Sequence, residues 1–110
     1  MNRIKTFSKF YEFYLSEHSN RTCRLLHFIG TTLVFVMAFL AIYLDKPTLW
    51  IFVPISGYGF AWIGHLIFEK NKPATFKYPL WSLFSDFKMY FHILFGKINI
   101  DNSRDNNVIN

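Results

Sequence analysis

Two uncharged apolar runs of bilayer-spanning length, separated by a short turn, constrain this chain more than any other feature. Leu25 to Leu44 and Leu49 to Phe68 are each twenty residues long and contain no Asp, Glu, Lys or Arg. At about 1.5 Å rise per residue, such a helix covers roughly 30 Å, the thickness of a bilayer's hydrocarbon core. Between the runs, Asp45-Lys46-Pro47-Thr48 supplies two charges and a proline, which halt a helix and let the chain reverse. The pattern predicts an antiparallel helical hairpin in a membrane.

Composition agrees, since 52% hydrophobic and 21% aromatic residues exceed what the core of a 110-residue chain needs. The surplus calls for the lipid bilayer or a partner. Of the twelve Lys and Arg residues only Lys46 lies in the connecting turn, while Arg3, Lys5, Lys9, Arg21 and Arg24 precede the first run and Lys70, Lys72 and Lys77 follow the second. Positive residues stay cytoplasmic, so both termini are expected there. Because these basic residues are scattered between apolar runs and form no soluble basic face, nucleic acid is not an expected partner despite the net charge of +5. A lone Cys23 leaves no internal disulfide and no thiolate metal cluster.

The flanks read as helices of a different kind. Met1 to Glu17 spaces Phe7, Phe10, Tyr11 and Tyr14 helically among charged residues. It is too broken for a signal peptide, so an amphipathic helix lying on the membrane is expected. Ser19 or Asn20 is placed to cap the helix that follows. Pro79 to Gly96 is a third apolar segment, but Asp86 and Lys88 in its middle oppose spanning, and an interfacial helix is expected instead. Its Leu80, Leu83, Phe84, Phe87, Phe91 and Leu94 would face lipid or the hairpin, with Ser82, Ser85, Asp86 and Met89 forming a more polar stripe. The expected fold is thus an all-α membrane protein: a two-span hairpin with an N-terminal amphipathic helix and a C-terminal interfacial helix. Residues 1–98 form one membrane domain, and residues 99–110, rich in Asn and Asp, form a disordered tail.

Each span carries one ionisable side chain, a histidine. His27 and His65 both lie nineteen positions from Lys46, so an antiparallel hairpin sets them at matching depth, about 28 Å from the turn. Gly57, Gly59, Ala61 and Gly64 on the second span would let the two backbones approach closely. His18 and Glu69 belong to the same layer, the latter one helical turn beyond His65 and ahead of Pro73. Imidazoles with a carboxylate and an open position are the ligand pattern of non-heme iron(II) sites that activate oxygen. Histidines at a membrane boundary are also often satisfied by water or a carbonyl, so the residues alone leave both readings open. Glu69 reads as a group that orients His65, as a direct ligand, or as a solvated partner of Lys70 or Lys72. Asp86 reads as an exposed charge or as a partner for a ligand histidine or an arginine. His92, among Phe91 and Ile93, reads as packing.

His18 with His27 and Gly30, then Gly64-His65 with Phe68-Glu69-Lys70 and Pro73-Ala74, and Pro79-Leu80-Trp81-Ser82-Leu83 with Asp86 and Met89, resemble a small membrane family once called a domain of unknown function. Its characterised fungal member is an endoplasmic-reticulum 2-hydroxy fatty acid dioxygenase. The resemblance runs from about Phe10 to Gly96. It implies an Fe(II)-dependent α-oxidation in which a 2-hydroxy fatty acid and O2 give an acid one carbon shorter, with the family's essential histidines falling on His18, His27 and His65 as metal ligands; Glu69 and Asp86, read from the residues above, are the candidate catalytic groups beside them. It also implies an integral protein of a bacterial inner membrane, or of the endoplasmic reticulum in a eukaryote. The chain departs from the fungal pattern in a shorter stretch between the histidine-bearing spans and in Asn71-Lys72, which replaces a basic pair. Arg21, Arg24, Lys70 or Lys72 would hold a substrate carboxylate. The competing expectations are a non-enzymatic membrane hairpin that scaffolds a partner and a heme protein ligated by His27 and His65. Oligomeric state is not legible in the residues.

Overall fold

The computed structural model describes residues 3–109, and among these every regular element is helical. Helix α1 spans Phe7–Ser16, opened by Thr6, whose hydroxyl accepts the Lys9 amide. Helix α2 spans Arg21–Tyr43, and Asn20 caps it, its side-chain oxygen accepting from the amides of Thr22 and Cys23 at 2.9 and 3.1 Å. Asp45 adopts a left-handed conformation (φ 51°) at the turn, and a 3-10 segment at Pro47–Ile51 leads into α3, Phe52–Ile63. The second arm then changes character: Gly64–Glu69 is a π-helical turn, ended by left-handed Lys70 (φ 59°). Helix α4 spans Pro79–Leu94, with its proline in the first turn where no amide hydrogen is needed, and Gly96 (φ 79°) terminates it. A short α5 spans Asn106–Ile109.

The segments Arg21–Tyr43 and Pro47–Glu69 are both long and apolar enough to cross a membrane, and they pack antiparallel. Two glycines set their separation near the histidine end. A Cβ on Gly30 would lie 2.7 Å from the Ser56 carbonyl oxygen, closer than the backbones allow, and one on Gly64 would lie 3.0 Å from Cys23 Sγ, which would have to give way by a few tenths of an ångström. Gly59, expected to serve the same purpose, meets nothing within 4 Å.

Helix α1 buries its apolar stripe in the protein rather than offering it all to lipid. Phe10, Tyr11, Tyr14 and Leu15 pack with Tyr78, Met89 and Ile98, and Trp81 lies 5.6 Å from Phe10 between ring centroids. Helix α4 turns Ser82, Ser85 and Met89 inward and leaves Leu80, Phe84 and Leu94 exposed, so the more polar stripe is the one that meets the rest of the fold.

Residues 99–109 fold back against the start of α2. Arg24, in the first turns of α2, is fully buried, and its guanidinium donates to both carboxylate oxygens of Asp105 at 2.8 and 2.7 Å and to the carbonyls of Asn99 and Asp101. A buried cation requires acceptors, and the acidic tail returns to provide them. Composition alone does not reveal this, because the demand originates 81 residues away.

Candidate metal centre

Three elements carry the three imidazoles to one point. His18 sits in the loop between α1 and α2, His27 on the second turn of α2, and His65 in the π turn. All three are buried. The Nε2 atom of His18 lies 3.0 Å from Nε2 of His27 and 2.8 Å from Nε2 of His65. The ring planes stand nearly perpendicular, at 80° to 88°, so the nitrogens converge without the rings stacking.

Their other nitrogens fix the protonation. Nδ1 of His18 faces the Tyr14 carbonyl at 2.6 Å, and Nδ1 of His27 faces the Cys23 carbonyl at 3.0 Å. Nδ1 of His65 faces Oδ1 of Asn71 at 2.7 Å, while the Asn71 amide nitrogen donates to the Glu17 carbonyl. A carbonyl oxygen can only accept, so each Nδ1 carries the ring proton and each Nε2 presents a bare lone pair. Burial, with the neighbouring imidazoles adding to it, holds His18 well below the ordinary histidine range and therefore neutral. Three lone pairs at this separation with no proton among them repel, and a shared cation removes the conflict. Donation of the remote ring N–H to a carbonyl or amide oxygen is also how metal-binding histidines are usually held.

The residues named from sequence divide around this centre. Asp86 lines the histidine cavity, on its α4 side. Its carboxylate accepts from the Tyr14 hydroxyl, and burial lifts its pKa to about 7, against the opposing pull of that hydrogen bond. Glu69 does not line the cavity and does not touch His65; its carboxylate accepts the backbone N–H of Asn20 at the start of α2. Arg24 is already engaged by the tail and by the carbonyls of Leu15 and His18, so it is not free to hold a substrate. His92 lies apart from the centre, its Nδ1 paired with the Tyr11 hydroxyl at 2.7 Å.

Sequence reasoning missed three residues. Asn71 orients His65 from beyond the π turn, and the only hint was that it stood where a basic residue was expected. Tyr14 stacks on His18 with centroids 3.9 Å apart, and its backbone and side chain serve different partners. Ser82 is buried on the cavity wall and its hydroxyl has no hydrogen-bond partner. An unpartnered buried hydroxyl calls for an occupant to satisfy it.

Space at the centre is small and asymmetric. The histidine cavity holds about 20 Å3, room for an ion or a water and too little for a heme macrocycle. Beside it lies an apolar compartment of about 190 Å3, with His27, Tyr58 and Asp86 lining both. The donor set, neutral nitrogens with no thiolate, suits a borderline divalent metal such as iron or zinc.

These features define a class, helical proteins with two span-length helices and a buried histidine trio able to hold a metal. Within it the chain can be assigned: the family model described as 2-hydroxy-palmitic acid dioxygenase Mpo1-like matches residues 4–98, and the protein belongs to that family. No curated protein and no solved structure matches it.

Proposed function

We propose that this protein is an integral membrane, Fe(II)-dependent dioxygenase that shortens 2-hydroxy fatty acids by one carbon. The observation that carries the reading is the convergence of three buried imidazoles, with Nε2 of His18 3.0 and 2.8 Å from Nε2 of His27 and of His65 and all three ligand atoms within 4.8 Å, and family membership gives the chemistry its direction. The balance closes without an added reductant: a 2-hydroxy acid and O2 yield the shorter carboxylic acid, CO2 and water, all four electrons for O2 coming from the C1–C2 unit of the substrate. Both termini and the histidine layer are cytoplasmic in this reading, with Asp45 and Lys46 on the far side, as the placement of Lys and Arg favours.

His18, His27 and His65 would hold the iron. Bound there, it would supply the electronic access between O2 and a closed-shell acid that side chains alone do not offer. Tyr14 donates its hydroxyl to the Asp86 carboxylate at the edge of the cavity, and a carboxyl with pKa near 7 can take up or release a proton of its own at neutral pH. Ser82 has a hydroxyl free to donate to a polar head, and Arg21, Lys70 and Lys72 remain to draw a carboxylate toward the interface. The apolar surroundings of the centre exclude bulk water.

The test is product analysis. Protein purified in a membrane mimic, loaded with Fe(II) under anaerobic conditions and given 2-hydroxypalmitate, should release the acid one carbon shorter when O2 is admitted. An iron-loaded preparation that leaves the substrate unchanged removes the proposal.

A further inference from the structure

The apolar compartment next to the histidines has a direction. His27, Thr31 and Val34 succeed one another at spacings of four and three along one face of α2, so its wall runs about 10 Å from the centre toward the turn end of the hairpin. Opposite stand Val53, Pro54 and Gly57 of α3, and Leu83 and Phe87 of α4 close the third side. Val34, Val53, Pro54, Leu83 and Phe87 make the walls apolar, whereas the polar side chains gather toward the His27 end: Asp86, the Tyr58 hydroxyl, the Thr31 hydroxyl one turn along α2 and, across the histidine cavity, Ser82.

The occupant that matches such a space has one polar end and one unbranched apolar end. At Gly57 α3 comes close to α2, since a Cβ there would lie 3.2 Å from Val34 Cγ2. Any longer side chain must extend into the compartment or push the two helices apart.

We infer that this compartment holds the hydrocarbon tail of the acyl substrate and that Gly57, set against Val34, determines how long a tail is accepted. The inference rests on the dioxygenase reading. The tail lies along the hairpin between α2, α3 and α4, its head at the histidines. Turnover should rise with chain length until the compartment is full and then level off.

The experiment compares turnover of 2-hydroxy acids from eight to twenty carbons by the iron-loaded wild type, Gly57→Leu and Val34→Ala. Gly57→Leu should lower turnover of 2-hydroxypalmitate at least ten-fold relative to 2-hydroxyoctanoate. Val34→Ala should shift the optimum the other way, a change that misfolding does not produce. Chain-length profiles unchanged in both variants overturn the inference while leaving the activity standing. A wild type inactive on every acid removes the functional reading instead. The compartment is then judged by native mass spectrometry of the metal-free protein with palmitate: retention by wild type and loss from Gly57→Leu supports it, and equal retention by both overturns it.

Discussion

The two ends of the hairpin are built on opposite terms. At the turn end, Pro47–Ile51 buries no residue, and Ile42, Tyr43 and Ile51 are between 62% and 73% exposed. At the other end His18, Cys23, Arg24 and His65 are almost wholly buried, glycines bring the backbones together, and polar atoms are paired across three helices. The turn end is held by its surroundings and the histidine end by itself. Rigidity is therefore concentrated where three nitrogens must converge, and the apolar surface is left where lipid can cover it.

The contrast predicts a steep gradient of mutational effect along the hairpin, greatest at the histidines. His18→Ala, His27→Ala and His65→Ala should each abolish iron retention and activity, with double variants no worse, because ligands of one ion fail as a unit. Full metal occupancy in purified His65→Ala would break the comparison at its strongest point. Orientation comes next. A cysteine at Lys46 should react with membrane-impermeant thiol reagents only from the side opposite the termini, against a silent background because Cys23 is buried. Labelling from the cytosolic side alone would discard the hairpin topology.

Smaller effects sharpen the boundary of the centre. Asn71→Leu should weaken metal affinity by about 10 to 100-fold, as loss of a ligand-orienting partner does, whereas Glu69→Gln should leave it within a few-fold because an amide oxygen still accepts the Asn20 amide. Metal titration ranks the two, and the reverse order would restore Glu69 to the centre.

Asp86 gives a pH signature. Its pKa in the folded protein, about 7, exceeds the roughly 3.9 of an unfolded chain, so the fold binds this proton more tightly. That contribution to stability is fully present below about pH 4 and is lost as pH rises through 7. The buried, neutral His18 pulls the overall profile the other way, since an unfolded chain binds its proton below about pH 6.5, so the Asp86 contribution is read as a difference: the gap in melting temperature between metal-free wild type and Asp86→Asn should shift against wild type from about pH 5 to about pH 8. A gap that does not change with pH contradicts the raised pKa of Asp86.

Smallest of all, Asp45→Gly at the turn should raise stability by no more than about 1 kcal/mol, by easing a left-handed backbone, without changing metal content.

The hairpin was legible because span length and turn residues act locally, and the equal distance of His27 and His65 from Lys46 survives as rings 5.1 Å apart. The Asn20 cap and the ends of α4 were legible for the same reason. Asn71 was not, since it reaches His65 through a π turn and a left-handed lysine, neither of which has a signature in residue type. Nor was the burial of Arg24: a basic residue near a span end reads as solvated until a distant acidic tail is seen to cover it.

The π turn at Gly64–Glu69 makes chain length itself a functional variable. Leu66, Ile67 and Phe68 are exposed apolar residues, and exchanging any of them for another aliphatic should pass unnoticed. Deleting one is different: Asn71 would stand five residues from His65, and the six-residue separation across which its side chain meets the ring and its backbone N–H meets the His65 carbonyl would be lost. A single-codon loss there keeps every histidine, every charge and nearly all the hydrophobicity, yet carries Asn71 away from the ring it holds. The same loss from the Asp45–Thr48 turn would be absorbed by a flexible corner. In this protein an in-frame deletion, not a substitution, is the quiet lesion to look for.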